Sequence, residues 1–263
     1  MEVEGAEKRM GTVFLYEVIG TALFIYGILL TYSPLSIAFS LGASIMLFGG
    51  ITGGHFNPAV TLAVYIVEGK WMENLKWLGL LVLAQFLGGA VAMGLSELTL
   101  MNDNFGAIAP GNVQKLCPKD PLSAGEDVSC DGSNTANGFL LDFQVLFNEM
   151  VVTFVFITVI LQFKGGANTQ PSSDSLVGIM SICLTLLACI KASGQLGGCL
   201  NPAVGLTLGV NQVLHLGNEN SVMSHYIYAF MLGPLLGSVA SGFFFKHFHK
   251  DHFVPAGKGE KAQ

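Results

Sequence analysis

Two asparagine side chains offer the clearest chemistry in this sequence. Asn57 and Asn201 each open the tripeptide Asn-Pro-Ala, and they stand 144 residues apart in the 263-residue chain. Each follows two glycines and two further residues, in the stretches G-G-H-F and G-G-C-L. An asparagine amide both donates and accepts hydrogen bonds. Two copies in matching context indicate an internal duplication that presents the same donor twice.

Each triplet predicts a loop that enters the start of a helix. Pro58 and Pro202 suit the first helical position, where a missing N–H is not needed. Asn57 and Asn201 suit the N-cap before them. The apolar stretches that continue past Ala59 and Ala203, at 60–67 and 204–213, are too short to cross a bilayer, so they are interpreted as half-helices.

Composition places these half-helices in a membrane protein. Hydrophobic residues make up 51% of the chain and charged residues 11%, against about 25% charge in soluble domains. The net charge of −6 argues against nucleic acid as a partner. The first nine residues are polar and the apolar stretch after them is long enough to span, so a cleaved signal peptide is not expected.

Six membrane-spanning helices are expected around the two half-helices. The predicted fold is therefore an all-α membrane protein. The predicted spans are two within 10–54, broken near Tyr32-Ser33-Pro34, and then 77–96, 143–163, 176–190 and 226–245.

The spans also repeat. Glu17 opens E-V-I-G-T-A-L-F and Glu149 opens E-M-V-V-T-F-V-F, and each precedes one of the triplets. The chain is thus predicted to be one membrane domain over 1–263, with repeat 1 at about 10–98, an outer loop at 99–138, repeat 2 at about 139–247 and a tail at 248–263. Three spans and a half-helix form an odd-numbered unit, so the two copies are expected to lie inverted in the bilayer.

Lysine and arginine predict the orientation. Nine of the twelve fall on the side of the N-terminus and three on the other side, which favours cytoplasmic termini. The plasma membrane and vacuolar or vesicular membranes are not distinguished. The loop at 99–138 would then face an oxidising space, where Cys117 and Cys130 form either a disulfide or two free thiols.

The paired triplets and their surroundings resemble the aquaporin (major intrinsic protein) family over nearly the whole chain. The resemblance implies six tilted helices and two re-entrant half-helices whose N-termini meet in mid-membrane. It also implies a homotetramer with one pore per subunit.

The loops before the triplets predict a pore lining. Irregular backbone at membrane depth requires protein or a watery cavity around it. Carbonyl groups of residues 53–56 and 197–200 would then offer acceptors, and Asn57 and Asn201 would offer donors. The half-helix N-termini each carry roughly half a positive elementary charge. We therefore expect a path for water and small neutral solutes rather than cations.

Three further residues are expected to support the loops. Glu17 and Glu149 are intramembrane carboxylates, which require a partner. In aquaporins the matching glutamates accept hydrogen bonds from the loop backbone, and a histidine at the position of His55 helps to fix the loop. A proton relay is the less favoured role for the glutamates.

The chain departs from the family at the outer constriction. Water-selective and glycerol-conducting members usually have arginine after the second triplet, and Val204 stands there. Counting from the triplets gives Ile37, Cys189 and Gly198 for the other three positions, with Phe39 as the alternative to Ile37. Gly205 also departs from the aspartate that glycerol channels usually have. The ring is expected to be wider and more apolar, which admits glycerol, urea, ammonia and hydrogen peroxide as candidate solutes.

Three functions are compatible with this pattern. The favoured one is a passive channel. A non-conducting structural or adhesion protein of the same fold is the alternative, and a secondary transporter is a third. No nucleophile–base or metal-ligand pattern is found, so neither an enzyme nor a cofactor is expected.

Overall fold

The computed structural model describes residues 2–31, 33–100, 138–164, 170–194, 196–216 and 222–249. Throughout these residues the regular structure is helical, without strands. Eight α-helices follow one another, and a short π-helical segment at Phe245–His249 extends the last. Their bounds are α1 Glu2–Leu30, α2 Pro34–Thr52, α3 Pro58–Glu68, α4 Trp71–Leu100, α5 Gly138–Lys164, α6 Ser175–Ser193, α7 Pro202–Leu216 and α8 Val222–Phe244.

Six of these helices are long and apolar enough to cross a membrane, and α3 and α7 are not. Residues 9–30, 34–52, 71–100, 142–164, 175–193 and 225–249 form the six candidate spans. The 11 residues of α3 and 15 residues of α7 fall short of the roughly 20 that a bilayer requires. The prediction of six spans and two half-helices is confirmed.

The helix ends differ from the predicted spans where polar residues continue a helix. α4 begins at Trp71 rather than Trp77, and its first turn carries the exposed Glu73, which pairs with Lys70. α5 begins at Gly138, inside the predicted loop. Hydropathy marks where a helix enters the apolar layer, whereas the helix itself extends beyond it.

Local sequence explains the helix starts. Ser33 is extended, and Pro34 occupies the first turn of α2, which separates it from α1. Asp174 caps α6 by accepting a hydrogen bond from the Leu176 N–H at 2.8 Å.

Small residues allow the helices to approach closely. α1 packs mainly against α4, and α5 mainly against α8. A Cβ atom added at Gly88 of α4 would lie 2.7 Å from the Val18 carbonyl oxygen of α1, and one at Gly233 of α8 would lie 3.0 Å from that of Leu146 of α5. Such contacts are typical of membrane helix pairs.

The apolar and polar surfaces are arranged as a membrane requires. Large apolar side chains such as Met46 and Leu98 are 65% and 71% exposed along the spans. In contrast, Glu17, Gln85 and Glu149 are completely buried. The interior thus holds the polar groups, and they surround the place where α3 and α7 begin.

Candidate functional site

The two loops meet through a pair of reciprocal hydrogen bonds. The Asn57 Nδ2 donates to the Leu200 carbonyl oxygen at 2.8 Å, and the Asn201 Nδ2 donates to the Phe56 carbonyl oxygen at 2.9 Å. Each asparagine therefore binds the residue that precedes the other asparagine. The starts of the two half-helices are thus joined directly.

The same asparagines cap their own helices. The Asn57 Oδ1 accepts from the Ala59 N–H at 2.8 Å, and the Asn201 Oδ1 accepts from the Ala203 N–H at 2.9 Å. Pro58 and Pro202 are the first residues of α3 and α7. Ala59 and Ala203 are fully buried where the two half-helices begin.

The residues before the asparagines have left-handed backbone conformations. Phe56 has φ of 47° and Leu200 has φ of 55°. This region is uncommon for residues other than glycine, and it persists only where surrounding contacts hold it. At both positions a buried glutamate supplies that contact.

Glu149 holds the second loop by binding two successive backbone amides. The Cys199 N–H donates to Oε1 at 2.7 Å, and the Leu200 N–H donates to Oε2 at 2.9 Å. Asn148, the residue before it, donates to the Gly197 carbonyl oxygen at 2.7 Å. The end of the second loop is therefore tied to α5.

Glu17 holds the first loop in a different way. Its Oε1 accepts from the Phe56 N–H at 2.5 Å and from the Gln85 Nε2 at 2.9 Å. Gln85 also donates to the Thr61 Oγ1 at 2.8 Å. Sequence reasoning did not assign Gln85 or Thr61 a role, although a glutamine inside an uncharged span is a detectable signal.

His55 contacts the same hydrogen-bond network, through Thr61. Its Nδ1 is 3.1 Å from the Thr61 Oγ1, which in turn donates to the Asn57 carbonyl oxygen at 3.1 Å. The ring therefore contacts the first turn of α3.

A cavity of about 450 Å³ leads to the paired asparagines. The cavity opens on the side of the protein where α2 and α5 end and α6 begins. Since α1 starts on the same side, we call this side the N-terminal face. The wall includes His55, Asn57, Lys164, Cys199 and Asn201.

Several loop carbonyl groups in this region already have partners. The Gly53 carbonyl accepts from the Lys164 ammonium, and those of Phe56, Gly197 and Leu200 accept from Asn201, Asn148 and Asn57 respectively. The expected row of acceptors is thus partly occupied by protein donors. Each remaining lone pair is still open to a second donor.

The four residues counted to the outer constriction lie in the core or against it. Val204 and Cys189 are 4% and 6% exposed and belong to one apolar cluster, against which Ile37 packs. Gly198 lies against the end of α6, where an added Cβ would be 3.2 Å from the Ile190 Cα. Phe39 is 48% exposed and lies outside the cluster. Cys117 and Cys130 fall outside the described residues.

The fold and the joined half-helices define a polytopic membrane protein with two re-entrant loops. The sequence profile described as "Major intrinsic protein" matches residues 6–245. The chain belongs to the major intrinsic protein family, whose members are channels rather than enzymes.

Individual relatives are distant. The chain is 28% identical over 239 residues to the "Glycerol uptake facilitator protein-like 6" of Lactiplantibacillus plantarum, with 88% of this chain and 94% of that protein covered. It is 27% identical over 210 residues to the "Aquaglyceroporin" of Toxoplasma gondii, with 79% of this chain covered. The chain spans only 64% of the length of the Toxoplasma gondii protein.

A solved structure shares the fold. The aquaglyceroporin from Plasmodium falciparum superposes with a TM-score of 0.62 at 19% identity, covering 91% of this chain and 97% of that one.

Proposed function

We propose that the protein is a passive channel for water and for small neutral solutes such as glycerol, urea, ammonia and hydrogen peroxide. The observation that carries the proposal is the reciprocal pair of hydrogen bonds between Asn57 and Leu200 and between Asn201 and Phe56. This pair fixes two helix N-termini at one point. Each asparagine amide has a second N–H for a permeating molecule.

Electrostatics favours neutral solutes at this point. Both half-helices direct their positive ends toward it, which opposes a cation that has also lost its water. The cavity from the N-terminal face reaches the same two asparagines. Water, glycerol and urea can donate and accept hydrogen bonds there without carrying charge.

Glu17, Glu149 and His55 are proposed to support the loops. This role is favoured by the hydrogen bonds from the Phe56, Cys199 and Leu200 amides to the two carboxylates, and by the contact of His55 with Thr61. A carboxylate that accepts backbone N–H groups stabilises a loop whose conformation is otherwise unfavourable.

Ile37, Cys189, Gly198 and Val204 are proposed to form the outer constriction. The proposal is supported by the burial of Val204 and Cys189 in the core and by the packing of Ile37 against that core. None of the four carries a charge. A ring of this kind presents less steric resistance to glycerol than one containing a guanidinium, and it lacks the charge with which a guanidinium repels cations.

The assembly and orientation belong to the same proposal. We propose cytoplasmic termini from the excess of lysine and arginine on the N-terminal face. A homotetramer with one pore per subunit, in a lipid bilayer, follows from the family. The names of the two relatives support glycerol as a solute.

Osmotic light scattering on proteoliposomes tests the function. Vesicles containing the purified chain are shrunk with an impermeant osmolyte, and in separate runs with glycerol and with urea. We expect faster shrinkage than in empty vesicles, followed by rapid re-swelling in glycerol and urea. Shrinkage without re-swelling would limit the channel to water. No acceleration with folded protein present would overturn the proposal in favour of a non-conducting structural protein.

A further inference from the structure

Lys164, the last residue of α5, places an ammonium group at the beginning of the first loop. Its Nζ donates to the carbonyl oxygen of Gly53. Gly53 caps the C-terminus of α2 with φ of 89° and begins the irregular stretch that leads to Asn57. A positive charge is therefore held on the loop itself.

This charge faces the path to the asparagines. Lys164 lines the same cavity as His55, Asn57 and Asn201. A Cβ atom added at Gly53 would lie 3.4 Å from the His55 Nε2 and 3.7 Å from the Lys164 Nζ. Both groups thus flank Gly53, and the ammonium stands at the entrance rather than on the lipid-facing surface.

Nearby carboxylates do not form a close ion pair with it. Glu17 and Glu68 interact with Lys164 electrostatically, yet Glu17 binds Phe56 and Gln85, and Glu68 accepts from Asn74. Asp174 also lines the cavity, and it is exposed there and caps α6. Among the described residues, no carboxylate oxygen lies within 4 Å of the Lys164 ammonium.

The hydrogen bond also occupies a group that a cation would use. Backbone carbonyl oxygens replace the water around a cation that enters a pore. The Gly53 carbonyl is the first of the loop, and the ammonium of Lys164 already binds it. A cation arriving there meets a like charge, and one of the two lone pairs of the Gly53 carbonyl oxygen is already in use.

We infer that Lys164 is the residue that excludes cations at the N-terminal mouth. It lies at the opposite end of the proposed path from Val204, the position at which the family usually has arginine. The inference rests on the proposed channel function. It adds, to the positive ends of the half-helices at the centre, a second barrier to cations at the mouth, supplied by a lysine that holds the first loop.

Paired water and potassium measurements test this assignment. Proteoliposomes with Lys164→Gln, Lys164→Arg, Lys246→Gln and unchanged protein are compared for osmotic shrinkage and for potassium efflux under an imposed potassium gradient. Lys246 is the matched control, because its ammonium also donates to a backbone carbonyl, that of Ile66 at 3.0 Å, but does not line the cavity.

We expect Lys164→Gln to increase potassium permeability about tenfold, which is the order of effect of one unit charge on the local concentration of a monovalent cation. Water permeability should stay within about twofold. Lys164→Arg should behave as the unchanged protein, because it keeps the charge, and Lys246→Gln should have no effect.

Several results would overturn the assignment. Unchanged potassium flux in Lys164→Gln, with water flux intact, would show that the charge excludes nothing. Equal potassium leaks in Lys164→Gln and Lys164→Arg would make the lysine's geometry, not its charge, decisive. If Lys164→Gln lost both its water flux and its thermal stability, the lysine would serve only to hold the first loop in place. If the unchanged protein does not conduct water, the channel proposal fails together with the role of Lys164. The water flux of the unchanged protein therefore distinguishes failure of the channel proposal from failure of the Lys164 assignment alone.

Discussion

The Asn57 side chain donates a hydrogen bond to the carbonyl oxygen of Leu200, 143 residues further along the chain. The Asn201 side chain returns the same contact to Phe56. Each asparagine therefore performs two tasks, because its oxygen caps its own half-helix while its nitrogen holds the other loop. Substitutions can separate these tasks.

Asn57→Asp should keep the cap and lose the contact between the loops. Aspartate is as good an N-cap as asparagine, but it has no N–H for Leu200 and adds a negative charge at the centre. We expect reduced water flux, increased cation flux and a lower melting temperature in detergent. Asn201→Asp should give the same pattern, since its contacts are equivalent. Water and potassium flux at normal levels in both variants would contradict the central role of the pair.

Replacing the two buried glutamates should have unequal effects. Glu149 uses both oxygens for backbone amides, so Glu149→Gln turns an NH₂ group toward the N–H of Cys199 or Leu200. An unsatisfied buried donor costs about 1–3 kcal/mol. The hydrogen bonds from Phe56 and Gln85 to Glu17 both go to Oε1, which a glutamine can still provide. We expect a clearly lower melting temperature for Glu149→Gln than for Glu17→Gln, and equal losses would contradict this explanation.

The residues at the proposed outer constriction can be tested by enlarging one side chain. Ile37→Trp should slow re-swelling in glycerol about tenfold or more while affecting water less, because a larger side chain would narrow the proposed constriction most for the larger solute. Phe39→Trp is the matched control, since Phe39 is largely exposed on the same helix. Light scattering with glycerol measures both. A slower flux in Phe39→Trp alone would place the constriction two residues further along α2.

Helix packing in α4 predicts a contrast between two glycines. Gly88→Ala would bring a Cβ atom to 2.7 Å from the Val18 carbonyl oxygen, so the backbone of α1 or α4 must move. Overpacking of this kind costs about 1–3 kcal/mol. An alanine at Gly79 meets no atom within 4 Å, and it should be neutral or slightly stabilising because alanine favours helix. Thermal unfolding in detergent compares the two variants, and equal stability would refute the packing argument.

The sequence predicted the architecture because length and polarity decide it. Long apolar stretches, two short ones and the residues Asn57-Pro58 and Asn201-Pro202 specify six spans and two capped half-helices. The left-handed conformations of Phe56 and Leu200 were not predictable, since neither residue is glycine and tertiary contacts impose the geometry. The hydrogen bond between the loops, the role of Gln85 and the contact of Lys164 with Gly53 likewise depend on segments far apart in sequence. In the sequence, Lys164 is only one of the nine lysine and arginine residues on the side of the N-terminus.

The reciprocal asparagine contacts also set an order of events during synthesis. The ribosome completes the first triplet well before it reaches Leu200. The Asn57 side-chain N–H therefore has no Leu200 carbonyl to bind until the second half of the chain is made. A chain that stops after α4 thus carries an open loop, with the Phe56 carbonyl lacking its donor as well. Each half of the chain therefore supplies a hydrogen-bond donor that the loop of the other half requires.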